Sequence, residues 1–162
     1  MPIKKIKNYK NGIGLIEVVI GSTIILLAFL GLMSVANMSL RILEVNNHNL
    51  QASFLLEEGV EAIKSFRDSG WNQNIATLSS GNNYYLDFNG ASWQSTTTNI
   101  FIDNFFERKF TIEDVRRDAD NDISTSGNID PGTKKINVYI SWVERGATTT
   151  KSISTYLTNI FE

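Results

Sequence analysis

From Ile13 to Ala36 the chain is apolar at most positions, and the one charge in that run is Glu17. At ~1.5 Å per residue this stretch is long enough to cross the ~30 Å hydrocarbon core of a bilayer as a helix. Beyond it the pattern becomes amphipathic. Residues 37–69 contain no proline and a single glycine, Gly59, and the apolar residues Ala52, Leu56, Val60, Ile63 and Phe66 recur three or four positions apart. Glu57, Glu58, Glu61, Lys64 and Arg67 lie beside that stripe, with Glu61 and Lys64 spaced for a surface pair. The pattern predicts one helix from Ile13 to about Ser69, on the order of 85 Å long, ended at Ser69-Gly70 by a glycine.

After Trp71 the residues turn to Asn, Ser, Thr and Gly with interspersed aromatics, which reads as strands joined by polar loops. Strands are expected over Tyr84 to Phe88, Arg108 to Val115, Lys135 to Val143 and Thr150 to Leu157. In the third, Ile136, Val138, Ile140 and Trp142 alternate with Asn137, Tyr139 and Ser141, the mark of a half-buried antiparallel strand. Asp130-Pro131-Gly132 is expected to turn the chain before that strand, and Glu144-Arg145-Gly146 to lead it into the last one as a hairpin. The fold class is therefore α+β: a long N-terminal helix, membrane-spanning in its first half, packed by its second half on a small antiparallel sheet. One span and one small domain are what 162 residues hold.

Upstream of the run, Lys4, Lys5, Lys7 and Lys10 stand without an acidic residue among them. Such a flank holds the N-terminus in the cytoplasm and sends the following domain across the membrane. Three fates suit an N-terminal segment of this kind. Cleavage after Ser34-Val35-Ala36 would make it an ordinary secretory signal, although a signal core has no use for a carboxylate. An uncleaved anchor would leave Glu17 near the cytoplasmic headgroups. In the third, the cut falls before the span.

Gly12 followed by Ile13-Gly14-Leu15-Ile16-Glu17 resembles the cleavage and methylation signature of type IV pilins and of the pseudopilins of type II secretion. That signature is a short basic leader, a glycine, an apolar first residue of the mature chain, a Leu-Ile pair and a glutamate as fifth mature residue. Ile13 stands where phenylalanine is usual, Gly14 where threonine or serine is usual, and Ser34 where major pilins commonly carry proline. The resemblance implies a leader over 1–12, an assembly and membrane helix over 13–38, and an exported domain over 39–162, helical to 69 and made of loops and sheet from 70. It implies that a prepilin peptidase cuts between Gly12 and Ile13 and methylates the new amine of Ile13. It further implies that Glu17 directs assembly with other pilins or pseudopilins on an inner-membrane platform. Leu55 to Lys64 and the C-terminal half resemble minor pilins and pseudopilins of the PilV and GspI type more loosely.

Glu17 also has a physical reading. A carboxylate in lipid is expensive and marks function. Cleavage after Gly12 would place a cation on Ile13, and an amine and a carboxylate each lower the other's cost in lipid. The two lie four residues apart on one helix face, while in an assembly the amine of one subunit reaches Glu17 of its neighbour and fixes the register. Gly12, without a side chain, suits an extended backbone in a protease site.

The charge of −2 becomes −6 once the four leader lysines are subtracted, so nothing in the overall balance favours nucleic acid. With no cysteine, neither a disulfide nor a thiolate metal site is available. The basic residues Arg108, Lys109, Arg116, Arg117, Lys134 and Lys135 are the candidates for a cationic patch on a tip subunit that captures DNA or a surface. Asp118, Asp120, Asp122 and Asp130, with Asn121 and Asn128, supply oxygens of the kind calcium prefers. Ile123 and Ile129 occupy the positions where an EF-hand loop needs glycine and a bidentate carboxylate, so that motif is excluded, and a solvated loop is the default. His48 is expected on the helix surface without a catalytic partner, and most of the aromatics in the core. The sequence holds no nucleophile elbow, phosphate loop or zinc spacing, and a non-enzymatic subunit is expected.

Overall fold

The computed structural model describes residues 14–160. Helix α1 runs Leu15–Ser69 without a break, through the apolar and the amphipathic segments alike. It stops where Gly70 takes φ 143°, a backbone that residues with a Cβ rarely adopt. The chain divides into two compact units between Glu44 and Val45.

In the second unit, α1 lays Ala52, Leu56, Gly59, Ala62, Ile63 and Phe66 against a seven-stranded antiparallel sheet. Val60, expected in this stripe, sits at its margin, and Gly59 and Ala62 take the central line because only small residues let the helix come this close to the strands. The strands are β1 (Tyr84–Phe88), β2 (Trp93–Thr96), β3 (Phe101–Ile102), β4 (Phe106–Arg117), β5 (Ile123–Ser124), β6 (Asn128–Glu144) and β7 (Ala147–Thr158). Their order is β2-β1-β4-β6-β7, with β3 and β5 as short additions beside β4. Phe110 and Ile112 of β4 and Ile136, Val138, Ile140 and Trp142 of β6 point into the helix-covered core and are essentially solvent-free. The opposite face is polar and internally bonded. Asn137 Nδ2 donates to Glu113 (2.7 Å), and Asn137 Oδ1 accepts from Ser154 Oγ (2.6 Å).

The β6–β7 hairpin turns at Arg145 (φ 53°) and Gly146 (φ 81°), a two-residue loop whose positive φ angles match the right-handed twist of the paired strands. At Asp130-Pro131-Gly132 the expectation of a turn ahead of the strand fails. These residues lie inside β6, where the pairing with β4 jumps from Asp114↔Lys134 to Val115↔Asp130. The segment is a bulge. Gly132 N–H turns back onto Asp130 Oδ1 (2.9 Å), while Gly132 carbonyl accepts from Asn159 N–H (2.8 Å) and so stays tied to the chain beyond β7. Proline is tolerated there because a bulge needs no ladder donor from it. The sequence pattern also missed α2 (Trp71–Asn74), a single turn that buries Trp71.

Candidate functional site

The N-terminal segment of α1 presents apolar side chains all round and buries none of them. Leu15, Phe29, Leu32, Met33 and Leu43 are each more than 60% exposed. Between Gly14 and Leu43 the only charges are Glu17 and Arg41. This helix is long and apolar enough to cross a membrane. Three of its hydroxyls are satisfied without water: Ser22 and Thr23 donate to the Val19 carbonyl (3.0 and 2.7 Å), and Ser39 donates to that of Val35 (3.0 Å). Back-bonding of this kind is what a hydroxyl needs where lipid offers no partner.

Glu17 occupies the first turn of α1, with its backbone N–H on the Gly14 carbonyl at 2.9 Å. The orphan N–H groups and the positive end of the helix dipole favour a carboxylate at that position. Its side chain is exposed. Gly12 and Ile13, the expected cleavage and methylation site, lie outside the described residues, as do the four leader lysines.

The basic residues of the domain do not form a free patch. Arg108, 5% exposed, pairs with Glu58 at 2.8 Å and lies over the ring of Trp93. Arg117 pairs with Asp130 at 2.6 Å, Lys135 with Glu113 at 3.3 Å and Lys134 with Asp114. Arg116 donates to the Gly127 carbonyl at 2.8 Å. Of the candidate set, only Lys109 has no such partner among the described residues.

The aspartates are bound up in local structure. Asp118 Oδ1 accepts from the N–H groups of Asp120 and Asp122, both at 3.0 Å, and Asn121 turns the loop with φ 67°. Asp130 lies against Arg117, whose guanidinium, followed by the Thr133 hydroxyl, holds its carboxyl below the ordinary value. Among the described residues no three His, Cys, Asp or Glu side chains converge as metal ligands.

His48 corrects an expectation. It is half-buried rather than on the surface: its ring stacks at a tilt on Phe105 (4.7 Å between centres), and Nδ1 lies 3.5 Å from the Glu144 carboxylate. Glu144 also accepts from Trp142 Nε1 at 3.2 Å. The contact joins α1 to a strand end almost one hundred residues away in sequence, so no local pattern signals it. Imidazole beside carboxylate resembles half of an acid–base site, but among the described residues no hydroxyl is bonded to either group, and Phe105 and Trp142 cover them. Of the sheet-domain aromatics, Trp71, Tyr84, Phe106, Phe110 and Trp142 lie in the core and Trp93 and Phe105 pack against it, whereas Phe88, Phe101 and Tyr156 remain exposed.

Compared with known protein families, characterised proteins and solved structures, the chain matches none.

Proposed function

We propose that this protein is a minor pilin or minor pseudopilin: a structural or priming subunit of a type IV pilus or type II secretion pseudopilus. It is held in the cytoplasmic membrane by α1 with its domain exported, until it joins a filament. The observation that carries the reading is a helix whose first half is apolar on every face, unburied, and charged at its first turn by Glu17 alone. Soluble proteins seldom leave so large an apolar surface uncovered, so lipid and then other helices are its natural cover. In this reading prepilin peptidase cuts after Gly12, the N-methylated amine of Ile13 meets Glu17, and the pairing sets the axial register of neighbouring subunits. The protein acts through assembly rather than as an enzyme. DNA capture is the weaker alternative, because four of the six candidate basic side chains, Arg108, Arg117, Lys134 and Lys135, are already neutralised by Glu58, Asp130, Asp114 and Glu113.

The test is the N-terminal sequence and intact mass of the protein recovered from membranes with and without an active prepilin peptidase. A chain beginning at methylated Ile13, only when the peptidase is active, is expected. An intact leader, or a cut after Ala36, would overturn the proposal in favour of an anchored or secreted domain of another kind. Glu17→Ala should leave the protein processed and membrane-bound but absent from sheared filaments.

A further inference from the structure

A groove at the end of α1 belongs to none of the features above. It lies between the last turn of α1, α2 and the β1–β2 hairpin, with a volume of about 420 Å³. Phe66 and Trp93 supply its aromatic surface, and Ser69, Asn74, Gln94 and Ser95 supply most of its polar lining. No charged side chain lines it. Arg108, 5.0 Å from the centre of the Trp93 ring, is neutralised by Glu58, and Arg67 beside Phe66 pairs with Asp68.

We infer that this groove binds a small neutral saccharide. A phosphate or carboxylate ligand would find no cation here, and an ammonium ligand no carboxylate. A wholly apolar ligand would leave the Gln94 carboxamide and Ser95 hydroxyl without partners wherever it covered them, at about 1–3 kcal/mol for each group so buried. What suits both parts of the lining is a molecule with one C–H face to lie on an indole and hydroxyls round its edge. Serine hydroxyls and carboxamides each donate and accept, as sugar hydroxyls do. Pockets that hold small ligands begin near this size.

The site is held ready. Asn74 Nδ2 donates to the Phe66 carbonyl (3.2 Å) and to Ser69 Oγ (3.0 Å), which fixes the amide and leaves its oxygen as an acceptor. Trp93 is braced by Phe88, with ring centres 5.2 Å apart, as well as by Arg108. Asn89 Oδ1 accepts the N–H groups of Ala91 and Ser92 (3.0 and 2.9 Å) and so sets the hairpin tip. Gln94 and Ser95 are exposed on β2, and among the described residues their side chains have no hydrogen-bond partner. Side chains whose partners are already in place lose less freedom when a ligand arrives.

The inference is independent of filament assembly. It is tested with the full chain in a detergent without a sugar headgroup, by saturation-transfer NMR against glucose, galactose, mannose, N-acetylglucosamine, maltose and lactose. The expected result is saturable binding of at least one of them, with transfer to its C–H protons. Gln94→Ala with Ser95→Ala removes exposed rim groups without touching the core, and should weaken that binding about tenfold, the worth of one or two hydrogen bonds. Trp93→Leu should abolish it. No saturable response to any of the six, or the same affinity in the rim variant as in the parent, would overturn the inference. So would a preference for sialylated or phosphorylated sugars over their neutral counterparts.

Discussion

At Gly59 α1 approaches the sheet so closely that the sign of a substitution depends on geometry. A Cβ added there would stand 3.0 Å from Val138 Cγ1, 3.4 Å from Arg108 Cδ and 3.7 Å from Leu86 Cδ1. Alanine is favoured over glycine in a helix interior by about 1 kcal/mol, so an open site would be stabilised by the exchange. Here the new methyl falls well inside the ~3.5–4.0 Å separation at which carbon atoms attract. Val138 cannot retreat, because it is fully buried and its strand is paired on both sides, with β4 and β7. Overpacking of a rigid core costs about 1–3 kcal/mol.

Gly59→Ala should therefore destabilise the domain by about 1 kcal/mol net, a fall in Tm of about 4 °C, and Gly59→Val by about 3 kcal/mol or more. The assay is thermal unfolding of the full chain in micelles, followed by the fluorescence of the buried Trp71 and Trp142. Val138→Ala removes the obstructing methyl and should cost about 1.5–2 kcal/mol by itself. In that background Gly59→Ala should become stabilising by about 1 kcal/mol, because the helix preference remains and the clash is gone. A cycle coupling of about 2 kcal/mol is expected. If Gly59→Ala stabilises equally in both backgrounds, the helix does not approach the sheet this closely and the reasoning fails.

Three further outcomes follow from the charges and the turn. Glu58→Ala leaves Arg108 buried without its partner and should cost about 1–2 kcal/mol. That is less than a fully buried pair would lose, because Glu58 is 47% exposed; adding Arg108→Met should recover part of the loss in urea titrations. Asp130 has a folded-state pKa lowered by Arg117 and then Thr133. Its contribution is present above the unfolded value near about pH 4 and is lost as pH falls through the lower folded one, so Asp130→Asn should flatten the acid limb of stability against pH. Arg145→Asn should raise stability by about 0.5 kcal/mol, since φ of 53° before Gly146 suits asparagine, and an unchanged Tm would show that the turn carries no such strain.

What the sequence made legible was whatever has a local cause. The alternation of Ile136, Val138, Ile140 and Trp142 predicts the central strand, and Ser69-Gly70 predicts the helix end, because each depends on neighbours a few residues away. Tyr84 to Phe88 is found as expected, whereas β4 and β6 both run further than their apolar cores suggest. The extra length comes from pairing of polar residues such as Arg117↔Asn128, which periodicity does not encode. The Asp130-Pro131-Gly132 bulge reads as a turn in the sequence for a related reason. Its local chemistry is that of a turn, down to Gly132 N–H on Asp130 Oδ1, and only the strands on either side convert it into an interruption of a longer strand. Gly59 and His48 were opaque because their roles are set by Val138 and Glu144, far along the chain.

Two charges in this protein pose the same problem and meet it differently. Arg108 is enclosed by the domain, and the domain supplies Glu58 and the face of Trp93 to offset the desolvation. Glu17 stands in the most apolar part of the chain, and among the described residues no side chain pairs with it. The first-turn N–H groups and dipole of α1 lower its cost by about 0.3–1 kcal/mol at exposed sites, whereas a charged residue deep in lipid costs several times that. In the proposed reading, the rest comes from outside the described residues. An amine created at Ile13 is the nearest group that cleavage would supply, and the same amine on an adjacent subunit is the nearest that assembly would supply. Glu17→Gln separates charge from shape: it should lose filament incorporation as Glu17→Ala does, while membrane insertion is retained. Normal incorporation of the Gln variant would mean that size rather than charge is recognised, and the pairing would have to be abandoned.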